Sequence, residues 1–253
     1  MARQRSHRSR RRRRGRFSGL YVFVSVLIVT AALIAAAVVF FRVQDVTVEG
    51  NSHYTQEEVV KVSGIKTGDN LIAIPKGKIA SAIRTYLPYV ESVSIKRKLP
   101  DGVRIIVRER KAAASIHSAD GRWLISSQGK LLEPAGDQNV VQIEGLTAAV
   151  PYPGDTVQVA EENQATLDYV LSLLTVLENR DLLADCRTID CSSGTFLRLE
   201  WRIYELKLPR DGDYDAMMRM LLAALDSDKM PKDEPGTFDF TVAEGEVYFR
   251  RSK

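Results

Sequence analysis

Residues 43–74 read VQDVTVEGNSHYTQEEVVKVSGIKTGDNLIAI, and residues 87–110 read LPYVESVSIKRKLPDGVRIIVRER. These two stretches decide the fold of the first half of the chain. In the first, Thr55 is followed three residues later by Glu58, which is the spacing of a capping box, and Gly64 stands where the helix would end. The pattern predicts a short helix that begins after Thr55 and ends near Gly64.

Strands with one buried face are indicated around this helix, because apolar residues occupy alternate positions. The alternating residues are Val46 and Val48, then Val93 and Ile95, then Val103, Ile105 and Val107. A second helix is predicted near Lys76 to Leu87, and its apolar face is expected to hold Ile79, Ile83, Tyr86 and Leu87. The order strand, helix, helix, strand, strand predicts an α+β unit whose sheet is covered on one face by two helices.

Four motifs in this region keep a fixed spacing. They are V-x-V-x-G-N from residue 46, G-I-x-x-G-x-N-L from residue 64, P-x-V-x-x-V from residue 88, and R-x-x-P closing on I-x-V-x-E-R by residue 110. Together they resemble the POTRA domain of the bacterial cell-division family FtsQ/DivIB. The resemblance implies a POTRA domain (β-α-α-β-β) at residues 43–111, preceded by a single membrane span and a basic tail.

A run without one charged residue, LYVFVSVLIVTAALIAAAVVFF at residues 20–41, precedes this unit. Roughly 20 consecutive apolar residues cross a hydrocarbon core of about 30 Å, so the run predicts a transmembrane helix. Nine arginines lie in residues 1–19, and basic residues beside a span are retained in the cytoplasm. The predicted topology is a cytoplasmic tail, one pass through the plasma membrane, and a large extracytoplasmic part.

Other interpretations of this N-terminal region remain open. A cleavable signal peptide also begins basic and continues apolar, and the alanines at 35–37 could supply a cleavage site, although signal h-regions run only about 7–15 residues. The arginine tail could also bind nucleic-acid phosphates, but beside a span it favours a role in topology and in binding anionic lipid. Without the nine tail arginines, 27 basic residues face 32 acidic ones, so the outer part predicts no nucleic-acid partner.

Residues 112–253 predict a second, mixed domain of short strands and two helices. Strands are expected within residues 118–132, 141–146, 188–191, 195–201 and 204–208. One helix carries Leu167, Val170, Leu171, Leu174 and Leu177 on its apolar face, and the other carries Met217, Met218, Leu221, Leu222 and Leu225. The chain closes on a hairpin of residues 237–241 and 246–250. This region is similar to the β domain of the FtsQ/DivIB family, from whose pattern Cys191 and Pro209 depart.

Two cysteines, Cys186 and Cys191, lie close together in ADCRTIDCSSG. An oxidising compartment would permit a disulfide, but strand geometry at this spacing often holds the Cα atoms too far apart. The pattern favours two small buried apolar residues and leaves the disulfide open.

The sequence carries no motif for catalysis, and we predict a protein that is not an enzyme and that needs no cofactor or metal. GIKTGDN is not a phosphate-binding loop, because its second glycine comes too early and no lysine follows. The three histidines, His7, His53 and His117, are isolated, which favours solvated or capping roles. Asp211 to Asp215 alternate in PRDGDYDAM, but no glutamate follows where a calcium loop needs one, which favours a solvated helix start.

The final strand of a hairpin leaves one row of backbone N–H and C=O groups free, and an extended segment of another protein can add there as a strand. The resemblance implies that this edge binds the small bitopic division protein FtsB/DivIC, which also pairs with FtsL. Carried over by position, the partner-binding residues are Glu246, Val247, Tyr248, Phe249 and Arg250. Tyr248 and Phe249 are the expected anchors, and the side chains of Val247 and Phe249 should point away from that of Tyr248.

The predicted function is therefore a membrane-anchored divisome scaffold. By resemblance, it acts at the division septum and links the small bitopic proteins to the septal peptidoglycan synthase complex. Two alternatives are an extracytoplasmic POTRA-type transport or assembly factor and a cell-wall-binding module. The first would need further POTRA units or a barrel, and the second a pocket with paired carboxylates or exposed aromatic residues.

Overall fold

The computed structural model describes residues 18–227, 234–243 and 245–251. Helix α1, Ser18–Phe40, holds an 18-residue window, Gly19–Ala36, with a mean hydropathy of 2.4 and none of it buried. This helix is long and apolar enough to cross a membrane, as the uncharged run predicts. Residues 1–17, which contain the nine arginines of the basic tail, lie outside the described residues. The predicted orientation of the span therefore stays a prediction.

The predicted POTRA unit has the expected order of elements and forms a three-stranded sheet with the strand order β1-β3-β2. β1 and β3 are parallel, whereas β2 and β3 are antiparallel. Its elements are β1 (Asp45–Glu49), α2 (Gln56–Ser63), α3 (Lys76–Tyr86), β2 (Val90–Lys98) and β3 (Gly102–Glu109). The predicted strand residues Val103, Ile105 and Val107 lie in the core of this unit with Ile79 and Ile83 of α3.

Both ends of α2 are fixed by local sequence, as predicted. The hydroxyl of Thr55 accepts a hydrogen bond from the N–H of Glu58, whose carboxylate accepts one from the N–H of Thr55. Gly64 at the C-cap has φ 67°, a left-handed conformation that glycine adopts without steric cost.

The prediction for the apolar face of α3 is wrong at Tyr86, whose side chain is 72% exposed. The buried stripe of this helix follows four-residue steps through Ile79 and Ile83 to Leu87, the C-cap residue. Tyr86 lies one residue, or about 100° of rotation, before Leu87 and so falls outside the stripe.

The loop between β1 and α2 is held by Glu109 at the end of β3. Its carboxylate accepts hydrogen bonds from the N–H groups of Ser52 and His53, each at 2.7 Å, and from the Ser52 hydroxyl at 2.8 Å. Burial alone would raise the pKa of this carboxyl, but the hydrogen bonds outweigh burial and hold the pKa below the ordinary value of 4.5. A residue more than 50 positions away therefore caps this loop.

We expect Glu109→Gln to lower the free energy of unfolding at neutral pH by about 1 kcal/mol, because three backbone N–H groups and one hydroxyl lose a charged acceptor that is still partly in solvent. The folded-state pKa is depressed, so this stabilisation is present above the ordinary pKa of 4.5 and is lost as the pH falls through the folded-state value. Denaturant titrations in neutral and acidic buffer should show the difference between the two proteins shrink in acid.

Glu49→Gln is the matched control, because Glu49 makes an exposed ion pair with Arg104 and contributes little. Equal unfolding curves for the Glu109→Gln variant and the unsubstituted protein at neutral pH would contradict this role of Glu109.

The second part of the chain forms a nine-stranded sheet with the order β12-β11-β10-β9-β8-β7-β4-β5-β6. The strands of its first half are β4 (Ala114–Ser118), β5 (Gly121–Ile125), β6 (Leu131–Pro134) and β7 (Val141–Thr147). The others are β8 (Cys186–Asp190), β9 (Phe196–Trp201), β10 (Tyr204–Pro209), β11 (Gly236–Asp239) and β12 (Tyr248–Arg251). The β4–β7, β7–β8 and β10–β11 pairs are parallel, and the other five are antiparallel.

Two helices, α4 (Gln164–Asn179) and α5 (Tyr214–Asp226), share one core with this sheet. The predicted stripe of α4 is confirmed at Leu167, Val170, Leu174 and Leu177, all of which are buried, whereas Leu171 is half-buried. The predicted stripe of α5 is wrong at Leu222, which is 37% exposed. Its fully buried residues are Tyr214, Met218 and Leu221, and Leu222 is turned about 100° past Leu221.

Tyr89 connects the two sheets. Its ring stacks on that of His53 with 3.7 Å between centroids, and its hydroxyl donates to the carboxylate of Glu133 at 2.7 Å. The same side chain is buried with Leu124 and Leu132 of the second sheet. Only four residues, 110–113, separate β3 from β4. The predicted domain boundary between residues 111 and 112 lies within this connection and stays a prediction.

Cys186 and Cys191 are not bonded to each other, and both side chains are buried. Burial raises the pKa of each thiol to about 12. The interpretation as two small buried apolar residues is therefore confirmed.

Candidate functional site

The C-terminal hairpin ends the nine-stranded sheet on one side. β11 pairs in parallel with β10, and β12 pairs antiparallel with β11 so that Phe238 faces Phe249. Of the predicted partner-binding residues, Tyr248, Phe249 and Arg250 lie on β12, whereas Glu246 and Val247 come just before it. The hairpin and its place at the end of the chain are as predicted.

The two faces of β12 have different environments. Phe249 is half-buried and packs on Phe238 at 4.9 Å and Tyr204 at 6.3 Å between ring centroids, and Val247 also packs on the core. Tyr248 is 47% exposed, and its hydroxyl donates to the carboxylate of Glu246 at 2.6 Å. The predicted alternation of side chains along β12 is confirmed. Tyr248 is therefore the aromatic residue of this strand whose side chain is exposed to another protein.

Sequence reasoning missed Gly236, the residue that lets the two strands of the hairpin approach. A Cβ atom at this position would lie 2.4 Å from Cε2 of Phe249 and 2.7 Å from the carbonyl oxygen of Arg250. Gly236 is in β11 directly opposite Arg251, so the absence of a side chain allows Phe249 to pack across it. The signal available in the sequence was a glycine immediately before the predicted strand of residues 237–241.

The outer edge of β12 carries no further strand among the residues that the structure describes. The opposite edge of the same sheet, β6, is different, because a loop covers its start. The N–H of Leu131 donates to the carbonyl of Asp155, and the N–H of Gly154 donates to the carbonyl of Leu131, both at 2.9 Å. An uncovered edge presents free backbone donors and acceptors, which is the chemistry needed to bind an extended segment.

Charged side chains surround the edge. Arg251 pairs with Glu234 at 2.9 Å, and Arg250 is exposed beside it. Burial opposes ionisation of Asp239, but hydrogen bonds from Thr241 outweigh it and keep the pKa of this carboxyl below 3.8. The hydrogen bond to the Glu246 carboxylate raises the pKa of Tyr248 above 10.0, so its hydroxyl remains a neutral donor at physiological pH.

An open cavity of about 540 Å³ adjoins the residues before β12. Met217, Met220 and Phe240 form the apolar part of its lining, and Glu246 is among its polar lining residues. Asp213, which also lines the cavity, caps α5 by accepting a hydrogen bond from the N–H of Ala216, as expected of a helix start. Methionine-rich grooves adapt to different apolar side chains, so this cavity suits a side chain of a bound segment.

The described part of the chain contains no group of three or more His, Cys, Asp or Glu residues placed to hold a metal ion. Nε2 of His117 lies 3.2 Å from the carboxylate of Glu144, and this carboxylate also makes an ion pair with Arg122. The arrangement at β12 has instead the features of a binding surface: an open strand edge, one exposed tyrosine and an adjacent cavity lined by both apolar and acidic side chains.

Comparison with known proteins agrees with this architecture. A family model described as "POTRA domain, FtsQ-type" matches residues 41–110. Cell division protein DivIB of Clostridium acetobutylicum is 32% identical over 111 residues, which are 43% of this chain and 44% of the relative. Residues 41–110 therefore match an FtsQ-type POTRA domain, and the chain is similar to cell division proteins named FtsQ and DivIB.

Two further FtsQ/DivIB relatives define how far the similarity extends. Cell division protein FtsQ of Corynebacterium glutamicum is 33% identical over 107 residues, covering 42% of this chain and 48% of the relative. Cell division protein DivIB of Clostridium botulinum, strain Hall, is 20% identical over 245 residues, covering 96% of this chain and 93% of the relative. The similarity spans just under half the length of the first two relatives and nearly all of the third.

Proposed function

We propose that this protein is a membrane-anchored cell-division scaffold that binds an extended segment of another division protein along the open edge of β12. The observation that carries the proposal is this edge, to which no strand or loop of the described residues is hydrogen-bonded, in a chain that is similar to FtsQ and DivIB proteins. The names of its relatives, cell division proteins FtsQ and DivIB, support a role in cell division.

The proposed topology has α1 in the plasma membrane, the arginine-rich tail in the cytoplasm, and the two sheets outside, at the division septum. The uncharged helix supports a span, and the nine arginines before it support the orientation. We expect a fusion at Lys253 to an enzyme that is active only outside the cytoplasm to be active. Activity of a cytoplasm-specific reporter at the same position would contradict the orientation.

The proposed partner is a small bitopic protein of the FtsB/DivIC type, which in turn binds one of the FtsL type. An extended segment would continue the sheet beyond β12, with main-chain hydrogen bonds giving affinity and side-chain contacts giving selectivity. Tyr248 would contact the segment directly, and Phe249 would hold β12 in place from the core side. In this role the protein joins its partners to the septal peptidoglycan synthesis machinery and performs no chemistry of its own.

We expect Tyr248→Ala to weaken binding of the bitopic partner by about 2 kcal/mol, roughly thirtyfold, because exposed aromatic residues at the centre of an interface contribute the most to affinity. The measurement is a titration of the purified full-length protein with the extracytoplasmic part of the partner.

Tyr86→Ala is the matched control, because Tyr86 is also an exposed tyrosine but lies on α3, in the other sheet's unit. Equal affinities for the Tyr248→Ala and Tyr86→Ala proteins would remove Tyr248 from the interface.

Depletion of the protein in cells tests the role in division itself. Filaments without septa are expected, because a scaffold that is missing leaves the septal machinery unassembled. Normal division would instead favour the transport or assembly factor, or the cell-wall-binding module.

A further inference from the structure

The chain that leaves α1 is held between two loops of the POTRA unit. On one side, the N–H of Leu71 donates to the carbonyl of Phe41 at 3.0 Å, and the N–H of Val43 donates to the carbonyl of Asp69 at 2.9 Å. On the other side, the N–H of Gln44 donates to the carbonyl of Asp101 at 2.8 Å. No free linker therefore separates α1 from the POTRA unit, and both loops are held next to the C-terminal end of α1.

Each of these loops exposes one large apolar side chain. Ile72 is 50% exposed and Leu99, in the turn between β2 and β3, is 64% exposed. Arg97 joins the two loops, because its guanidinium donates to the carbonyls of Leu71 at 2.7 Å and Ile72 at 2.6 Å. The turn also lies beside the last turns of α1, since Pro100 lines one cavity together with Phe40.

Basic residues precede the exposed Leu99 in the chain. Lys96 and Lys98 are exposed at the end of β2, on either side of Arg97, whose charge is directed at the two carbonyls. Of the nearby acidic residues, Asp69 accepts a hydrogen bond from the N–H of Lys66, and Asp101 is partly buried in the turn. We call Ile72, Lys96, Lys98 and Leu99 the platform.

The length of α1 sets the depth of the platform. A helix of 23 residues is about 35 Å long at roughly 1.5 Å per residue, whereas the hydrocarbon core is about 30 Å thick. When α1 spans, Phe40 at its end lies at or just beyond the hydrocarbon boundary. Loops hydrogen-bonded to the next few residues must then lie among the lipid headgroups, where exposed apolar side chains and lysines are both favoured.

We propose that the platform is a membrane-binding surface, in which Leu99 and Ile72 insert between the headgroups and Lys96 and Lys98 bind lipid phosphates. The proposal rests on the membrane span of α1 in the proposed function. Its consequence is that the POTRA unit is fixed in orientation as well as in height, so the direction in which β12 faces relative to the membrane is also restricted.

The test places a nitroxide label at one position at a time in the full-length protein, reconstituted in nanodiscs of equal parts phosphatidylcholine and phosphatidylglycerol. The variants are Leu99→Cys, Ile72→Cys, Leu27→Cys within α1, and Val150→Cys, a position that is 97% exposed in the second sheet's part of the chain. The native cysteines are buried with raised pKa values, and the unsubstituted protein serves as the labelling blank.

Collision of each label with oxygen, which concentrates in lipid, is compared with collision with a water-soluble nickel chelate. Labels at 99 and 72 should favour oxygen, as the label at 27 does, whereas the label at 150 should favour the nickel chelate. If the label at 27 favours oxygen but those at 99 and 72 behave like that at 150, the platform is overturned and the anchor stands. If the label at 27 also favours the nickel chelate, both are overturned.

A second comparison tests the lysines. In the Leu99→Cys protein, removing Lys96 and Lys98 by substitution with glutamine should lower the ratio of embedded to solvated label roughly fivefold per lysine, since each basic residue near an anionic surface contributes about 1 kcal/mol. Lys111→Gln with Arg187→Gln removes the same charge from exposed positions away from the platform and should leave the ratio unchanged. Equal ratios in the two double variants would overturn the role of the lysines. A label at position 99 that leaves the aqueous phase only after a partner protein is added would identify the surface as a protein interface instead.

Discussion

Replacing Gly236 with alanine should separate β12 from β11 and remove most of the affinity for the proposed bitopic partner. The new Cβ would lie 2.4 Å from the ring of Phe249 and 2.7 Å from the carbonyl oxygen of Arg250. The ring can turn away only by leaving its contacts with Phe238, and the carbonyl can move only if the strand moves. Overpacking of this kind costs about 1–3 kcal/mol, and a short edge strand of four residues has few other contacts to resist it.

The expected result is a loss of partner affinity of at least roughly tenfold, with a smaller loss in the stability of the whole chain, because the displaced strand is only the last of the sheet. Partner titration and denaturant unfolding of the full-length protein measure the two effects separately. Gly194→Ala is the matched control, because a Cβ there meets nothing within 4 Å. If the Gly236→Ala and Gly194→Ala proteins bind the partner equally well, β12 is not the binding edge or does not depend on this close packing.

The substitution Phe238→Ala should cause the largest loss of stability that we predict, about 3–5 kcal/mol in the free energy of unfolding. Phe238 is 1% exposed, and its ring packs against those of Tyr204 at 5.2 Å and Phe249 at 4.9 Å. Removing it would leave a cavity between β10, β11 and β12 that neighbouring rings can fill only by leaving their own positions. Denaturant unfolding followed by circular dichroism gives the difference directly.

Tyr248→Ala is the control for this prediction, because it removes an exposed aromatic side chain from the next strand and should change stability by no more than about 0.5 kcal/mol. The two variants should therefore separate the roles of the hairpin, with Phe238 needed for folding and Tyr248 for binding. A Phe238→Ala protein that unfolds at the same denaturant concentration as the unsubstituted protein would show that the hairpin is not packed on the core as described.

The features predicted best are those encoded over a few residues. The capping box at Thr55 and Glu58 and the left-handed C-cap at Gly64 are confirmed, because each depends on one turn of backbone and on side chains within it. The final hairpin was also predictable, since its two strands are close in the sequence and alternate in polarity. The same alternation indicated that Tyr248 and Phe249 face opposite ways.

Predictions at the edges of buried faces were less accurate. The periodicity predicts Tyr86 and Leu222 on apolar stripes, whereas both side chains are exposed. Periodicity shows which residues share a side of a helix, but how far the buried surface extends around it depends on what packs there. The residues at the margin of a stripe are therefore decided by neighbours that lie far away in the sequence.

Local patterns in the sequence predict the apolar helix, the order of elements in the POTRA unit, the resemblance to FtsQ/DivIB and the C-terminal strand expected to bind a partner. These features depend on local spacing and composition, because the residues that form one helical turn or one hairpin are close together in the sequence. Other features become visible only in the folded chain: the order of the nine strands, the covering of the β6 edge by residues 154–157, the close approach of Gly236 to Phe249, and the contacts of Leu71 and Pro100 with the end of α1. Each of these depends on backbone groups or side chains that are distant in the chain, and no local pattern specifies which distant partner a strand or loop will meet.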